Sequence, residues 1–471
     1  MNLSLSQIAA AVGGRLIGPD ATVTGPVVTD SRQASPGALF VAVHGERTDG
    51  HAHLGSAGTL GAVGAIVSDL KAARTGLSGE PAEAAESEDL SMGLVLVEDT
   101  VVALGALART HLAGLRQGAV DRGERLTVVA MTGSVGKTTT KDLTRQLLAS
   151  SGPTVAPRAS FNNEIGLPLT VLEADESTRY LVLEMGASGS GHIAYLTDIA
   201  PLDAAAVLMI GHAHMGGFGS IEGVAAAKAE IIAGLLPEGT AILNADDARC
   251  AAMAKLAPAR VLTFSAQGEP ADLRAENVVL DEAACAAFDL HLPGLDAPRR
   301  VQLAVAGAHN VANALAAAGL ALAAGLEPEL IAERLGSVSI ESPHRMDVSE
   351  LSGDLLLIDD SYNANIDSMT AALAALPALA GSRRRVVVVS EMLELGESSA
   401  ADHARTGELA AQAGAAMLIG IGSTQEALDA ARARGVEVVG FEDSATAISQ
   451  IDALLSDGDA VLVKGSNGSG A

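Results

Sequence analysis

The residues best suited to chemistry stand together in Met131-Thr132-Gly133-Ser134-Val135-Gly136-Lys137-Thr138-Thr139, between an apolar run, Leu126 to Met131, and a helical pattern, Lys137 to Ala149. Strand, glycine loop and helix in that order make an anion site. Gly133 and Gly136 let backbone N–H groups around Ser134 and Val135 converge on phosphate oxygens, Lys137 neutralises charge, and the Thr138 hydroxyl can ligate Mg2+. Met131 occupies the place of the first glycine in the general P-loop pattern, so the generic match is incomplete. A glycine-rich turn that serves packing alone is the alternative, although Gly-Lys-Thr in this setting rarely arises for that reason.

Other candidates are ambiguous by residue type alone. Glu184 follows the apolar run Tyr180 to Leu183; ligands gather at the carboxyl ends of parallel strands, but a solvated loop acid reads the same way. His212-Ala213-His214 offers two histidines without further ligands at usable spacing, a weak basis for zinc. Lys228 lies on the otherwise apolar helical stretch Ala225 to Ile232, where a lone lysine normally snorkels to solvent. Asn310 and Asn313 open an Ala-rich helix and serve equally well as its caps. Ser31-Arg32 alone is an unremarkable exposed turn.

The elements that must position these residues fall into three blocks. At 471 residues, the chain suggests about three domains on a prior of roughly 150 residues each. The expected boundaries are 1–118, 119–337 and 338–471. The first block carries short β-like runs (Leu39 to Val43, Gly64 to Val67, Gly93 to Val97) and a helical run from Val101 to Gln117. The second holds the glycine loop, strands at Tyr180 to Leu183, Ala205 to Ile210 and Thr240 to Leu243, and a closing helix from Asn310 to Ala324. In the third, strands ending at Ile358 and spanning Arg385 to Ser390 and Ala460 to Lys464 alternate with helices at Ser368 to Ala380 and Ala400 to Ala413, which implies parallel βαβ units covered on both faces. Ser466 to Ala471 reads as a flexible end.

Composition limits the function classes. Hydrophobic residues make up 48% and aromatics only 2%, so aliphatic side chains must fill the cores. The formal charge of −27 opposes long-range attraction to nucleic acid or anionic lipid. It leaves a local phosphate site possible. Cys250 and Cys285, the two cysteines, are too few for a disulfide framework and read as small buried residues. No long apolar run and no leader pattern at Met1-Asn2-Leu3-Ser4 point to a cytoplasmic protein without membrane insertion.

Beyond its general chemistry, the loop resembles that of the Mur ligase family, whose P-loop is the shorter Thr-Gly-x-x-Gly-Lys-Thr form. The resemblance covers nearly the whole chain. Ser160 to Pro168 looks like the loop framing the ligase site, with Asn162 and Asn163 at the substrate. Leu183-Glu184-Met185-Gly186-Ala187 looks like the strand end that brings a metal-binding glutamate to the nucleotide. His214 matches a ligand of a second magnesium, and Lys228 the lysine carbamylated by CO2. Asn310 and Asn313 match asparagines facing adenine, Arg345 an arginine that reaches the phosphates on domain closure, and Asp360 a ribose contact. Ile358 to Met369 is similar to the D-alanyl-D-alanine-adding branch, with Asn363 and Asn365 at the acceptor. Ser31, Arg32, Asp49 and His51 resemble the UDP-sugar domain.

The resemblance implies three α/β domains. They are an N-terminal UDP-substrate domain, a central P-loop ATPase domain with a mostly parallel sheet, and a C-terminal Rossmann-like doubly wound acceptor domain. It implies an ATP-dependent amide ligase acting through an acyl phosphate, with UDP-N-acetylmuramoyl tripeptide and D-alanyl-D-alanine as partners and a monomeric chain. Nucleotide contacts would come from Gly133, Ser134, Val135, Gly136, Lys137, Thr138 and Thr139. Thr138, Glu184, His214 and carbamylated Lys228 would hold two Mg2+, and Lys137, His214 and Lys228 would act at the transferring phosphoryl group. The rivals are a related ligase with another acceptor, such as a folylpolyglutamate or cyanophycin synthetase, and a nucleotide-binding regulator.

Overall fold

The computed structural model describes residues 1–45, 48–78, 90–211 and 218–469. They form two compact units, one of residues 1–128, 152–185 and 194–202, the other of 129–151, 186–193 and 203–471. In the first unit the strands β1 (Arg15–Ile17), β2 (Val27–Val28), β3 (Leu39–Val41), β4 (Gly64–Val67) and β5 (Gly93–Leu96) make a sheet in the order β1-β5-β4-β3-β2. All neighbours are parallel except β1 and β5. Residues of β3 and β4 are buried throughout, as strands covered on both faces require. Phe40 is the one aromatic of a core otherwise made of Ala, Val, Leu and Met. Helix α1 (Thr100–Asp121) begins where the Asp99 carboxylate accepts the Val101 and Val102 N–H groups.

The chain then enters β6 (Thr127–Thr132), whose last four residues belong to the second unit, and α2 (Lys137–Ala149). It returns to the first unit for β7 (Thr154–Val155), α3 (Gly166–Glu173) and β8 (Tyr180–Glu184), β7 and β8 being parallel. In the second unit β6 pairs in parallel with β9 (Leu202–Val207), from Val129 opposite Ala204 to Thr132 opposite Val207. Helix α4 (Ile221–Ala233) follows, then β10 (Leu235–Asn244), β11 (Arg260–Ser265), β12 (Leu273–Leu280), β13 (Cys285–His291) and β14 (Arg299–Ala306). The order is β6-β9-β10-β11-β12-β13-β14, parallel from β10 to β12 and antiparallel from there to β14. Helix α5 (Asn310–Ala323) covers it with eleven buried residues.

The strands from β11 to β14 are absent from the sequence expectations. In β13 only Ala286, Phe288 and Leu290 point inward, and half of β12 is exposed, so short or polar residues hide the period-2 signal. Cys285, expected to be buried, sits on the outward side of this alternation and is only partly covered.

A second sheet of this unit runs β15 (Asp347–Leu351), β16 (Leu355–Asp360), β20 (Asp459–Lys464), β17 (Arg384–Ser390), β18 (Met417–Ile421), β19 (Glu437–Phe441). Only β15 is antiparallel, an edge strand missing from the expected parallel set. Val387 and Val389 join one core with residues of α6 (Ile366–Ala380) and α7 (Ser399–Gln412), while Val386 and Val388 join another on the opposite face. That is the doubly wound arrangement, each strand alternating between two helix layers. Near the end of the chain, residues Asn467–Ser469 form a 3-10 turn, and the Ser469 and Ser390 hydroxyls lie 2.6 Å apart. Among the described residues no helix is long and apolar enough to cross a membrane.

Candidate functional site

In the second unit, the loop after β6 turns into α2 at Gly136, whose φ of +84° favours glycine. A Cβ there would lie 2.4 Å from Asn313 Oδ1, so space forbids it as well. No side chain caps the start of α2, which suits an anion at its N-terminus. Lys137 Nζ donates to the Gly133 carbonyl at 2.9 Å, which folds the ammonium over the loop. Ser134 Oγ accepts from Gly211 N at 2.8 Å and donates to Gly211 O at 3.1 Å. The loop is therefore tied to the segment that precedes His212 and His214, which themselves lie outside the described residues.

The two asparagines of α5 spend their polar atoms within the protein. Asn310 Nδ2 donates to Ala306 O at 2.7 Å, Asn313 Nδ2 donates to Asn310 Oδ1 at 2.8 Å, and Thr140 Oγ1 donates to Asn313 Oδ1 at 3.4 Å. Asn313 thus braces Gly136, a contact with no sequence signal because 177 residues separate the two. Lys228 does not snorkel. It is 2% exposed on α4, and burial first, then the charge on Lys137, pushes its amine down to about 7. Burial likewise pushes the thiol of nearby Cys250 up.

Arg345 Nη2 donates to Thr138 Oγ1 at 3.2 Å, and its guanidinium lies 4.2 Å from the centroid of the Tyr362 ring. Its neighbours His344 and Met346 hold φ of +60° and +51°, a region that side-chain-bearing residues seldom adopt. His344 Nδ1 meets Asp359 Oδ2 at 2.6 Å, and Asp360 Oδ1 accepts from Met346 N at 3.2 Å. Lys464, which in the sequence only closes a strand, is the buried centre of the strand ends: its Nζ contacts Asp360 Oδ2 at 2.6 Å and Asn363 O at 3.0 Å. Asn363 Oδ1 accepts from Ala364 N, and Asn365 caps α6 through a reciprocal bond with Ser368. Buried His403 accepts Met392 N–H on Nε2 and donates from Nδ1 to Ser399 O, which fixes the loop after β17.

In the first unit, Glu184 is no solvated loop acid. It ends β8 at 1% exposure, and its Oε1 accepts from Ser160 Oγ and from Asn162 Nδ2, each at 2.7 Å. Asn163 Oδ1 accepts the Ile165 and Gly166 N–H groups at the start of α3. Asp49 Oδ1 lies 2.6 Å from His51 Nδ1. His51 Nε2 receives the Ser68 and Asp69 amides, which can only donate, so the ring proton is on Nδ1. Arg32 is exposed and grips Asp30 with a bidentate fork; that bond holds the Asp30 carboxyl down at about 2.

Among the described residues no three His, Cys, Asp or Glu side chains cluster as a ligand set. Taken singly, the Glu184 carboxylate of the first unit and the Thr138 hydroxyl of the second are oxygen donors of the kind magnesium takes, an ion that keeps waters and substrate phosphates and needs few protein ligands.

Known proteins match along the whole chain. Residues 26–111 match the Mur ligase family, catalytic domain, 131–321 the Mur ligase middle domain, and 344–467 the Mur ligase, glutamate ligase domain. A UDP-N-acetylmuramoyl-tripeptide--D-alanyl-D-alanine ligase of Mycobacterium bovis is 41% identical over 100% of this chain and 96% of its own. Its namesake in Escherichia coli is 36% identical over 99% and 96%. A crystal structure of MurF from Acinetobacter baumannii superposes with a TM-score of 0.83 at 31% identity, covering 100% of this chain and 97% of that one. MurF ligase from Thermotoga maritima in complex with ADP gives 0.74 at 28%, covering 95% of each. Similarity of this extent, spanning the bare-backed phosphate loop and both flanking domains, means that the chain belongs to the Mur ligase family.

Proposed function

We propose that this chain is an ATP-dependent amide ligase that adds D-alanyl-D-alanine to UDP-N-acetylmuramoyl tripeptide in cytoplasmic peptidoglycan precursor synthesis. The observation that carries the reading is the Gly133–Thr138 loop, a tight glycine turn packed against Leu208 and Asn313 that leads into an uncapped helix start beside Lys137. Full-length similarity to ligases of that name supports the choice of acceptor.

A carboxylate oxygen of the tripeptide attacks the ATP γ-phosphorus, the bond to the ADP oxygen breaks, and an acyl phosphate results. The amine nitrogen of D-alanyl-D-alanine then attacks the acyl carbon, the bond from that carbon to the phosphoryl oxygen breaks, phosphate leaves with that oxygen and the bonding pair, and the amine proton passes to solvent. Lys137 and Arg345 stabilise the charge on the transferring group, and Ser134, Val135 and Thr139 line the loop. Two Mg2+, held by Thr138, Glu184, His214 and Lys228, would supply charge neutralisation. Lys228 fits carbamylation because a buried amine pushed down to about 7 is substantially neutral near neutral pH, and the neutral amine is the form that adds CO2 with loss of a proton.

The proposed division is a UDP-sugar domain over 1–118, with Ser31, Arg32, Asp49 and His51, an ATP domain over 119–337, and an acceptor domain over 338–471. Asn162 and Asn163 hold the loop framing the tripeptide, and Asn363 and Asn365 that at the acceptor. Asn310 and Asn313 shape the adenine side and Asp360 the ribose side, and the chain acts as a monomer. The test is phosphate release from ATP with each substrate omitted in turn. Release that needs both UDP-muramoyl tripeptide and D-alanyl-D-alanine is expected; release indifferent to the dipeptide sinks the assignment.

A further inference from the structure

Helix α2 carries the phosphate loop at its first turn and, one turn later, a face that grips the chain ahead of Arg345. The Asp142 carboxylate accepts Ser342 N at 2.9 Å and Glu341 N at 3.1 Å on Oδ2, and Ser342 Oγ at 3.2 Å on Oδ1. Lys141 Nζ lies 2.6 Å from the same Oδ1 and donates to Ser342 Oγ at 3.0 Å. Lys141 and Asp142 are each 1% exposed. Gln146 holds Ser339 by both backbone groups, and Arg145 forks onto Glu341. A buried carboxylate with four donors has its hydrogen-bonding capacity filled, so segment 339–342 has one seat.

Immediately after this seat the backbone turns through left-handed His344 and Met346, with Arg345 between them reaching Thr138 Oγ1. Thr138 and Asp142 are one helical turn apart on α2. We propose that Asp142, with Lys141 and Ser342, is a positioning residue that sets the distance from Arg345 to the phosphate loop by seating both on one rigid helix. The inference rests on the reading that Arg345 serves phosphoryl transfer. The two left-handed residues then take up any rotation beyond the seat, while the seat itself stays with α2. A structural role alone would need none of this register with Thr138.

The test compares Asp142→Asn, Ser342→Ala and Arg345→Ala in the complete ligase assay, with hydrogen exchange over residues 339–346. Asp142→Asn is expected to lower kcat by about 10- to 100-fold while the KM for ATP changes little, since misplacement of a reacting group by about 1 Å can cost about 100-fold. Ser342→Ala, a milder change that keeps the Lys141–Asp142 pair, is expected to shift kcat in the same direction and to speed exchange at residues 339–346. In an Arg345→Ala background neither substitution should cost much more, because both act through Arg345. Equal fold-losses in both backgrounds overturn the positioning role and leave Arg345 intact as a catalytic residue. A fully active Arg345→Ala enzyme overturns the Arg345 reading, and with it this inference.

Discussion

Two lysines of the second unit, one on a helix and one at the end of a strand, are equally buried and have different partners. Lys228, on α4, is 2% exposed, and among the described residues no carboxylate pairs with it; the one group that raises its pKa is the Cys250 thiol. Lys464, at the end of β20, is 1% exposed; burial lowers its pKa and Asp360, 2.6 Å away, opposes that push only in part. Its Nζ reaches Asp360 Oδ2, Asn363 O and, at 3.5 Å, Asp360 O, three acceptors that call for the three hydrogens of an ammonium. A lysine with a carboxylate partner is a structural cation. Without one, burial pushes the same side chain at the same depth down to about 7.

The largest expected effect comes from breaking the paired site. Lys464→Met leaves Asp360 buried without its cation, and removal of one partner of a buried pair typically costs about 3–5 kcal/mol. Urea unfolding reads the loss; a midpoint unchanged from wild type would mean that the pair is not what holds the strand ends. Lys228→Met should do the reverse. The folded-state pKa lies near 7 against an ordinary value of 10.5, so between those values the unfolded chain binds more protons and wild-type stability rises with pH. Below about 7 the penalty for burying the ammonium is present in full, and above 10.5 it has gone. In CO2-free buffer the methionine variant should therefore be the more stable protein at pH 6–7. Its advantage should shrink by about 1.4 kcal/mol per pH unit from there upward. A pH-independent difference would place Lys228 in the same class as Lys464. The variant should also lose ligase activity that bicarbonate does not restore.

These two sites also mark how far the sequence could be read. Gly133 to Thr138 was legible because its chemistry is local: the same six residues that make the turn are those expected to meet phosphate. The helix that follows, Lys137–Ala149, has its expected bounds for the same reason. Lys228 was visible as an anomaly on an apolar helix, yet the sequence favoured a solvent-reaching side chain because burial is a tertiary fact. The Lys464–Asp360 pair joins residues 104 positions apart, and the Asn313 brace on Gly136 spans more still; no spacing rule sees such partners. The strands from β11 to β14 escaped because Ala and charged residues blur the alternation, and Glu184 read as possibly solvated because the Ser160 and Asn162 donors that bury it come from another loop.

The smallest stability effect belongs to a third cation. Arg32 is 87% exposed in its side chain, and its fork onto Asp30 sits in water. Ion pairs in that setting add little to folding, because solvent screens them and ordering a long side chain opposes them. Arg32→Ala should leave the thermal midpoint where it is. If Arg32 instead serves the diphosphate of the UDP substrate, the same change should raise the KM for UDP-muramoyl tripeptide by about 10-fold, the loss expected of a charge-assisted contact, with kcat almost unchanged. A lost midpoint with an unaltered KM would reverse the assignment and make the exposed fork, like the buried Lys464 pair, a structural element. Either result sharpens the contrast, since it separates the depth of a cation from the task its partner gives it.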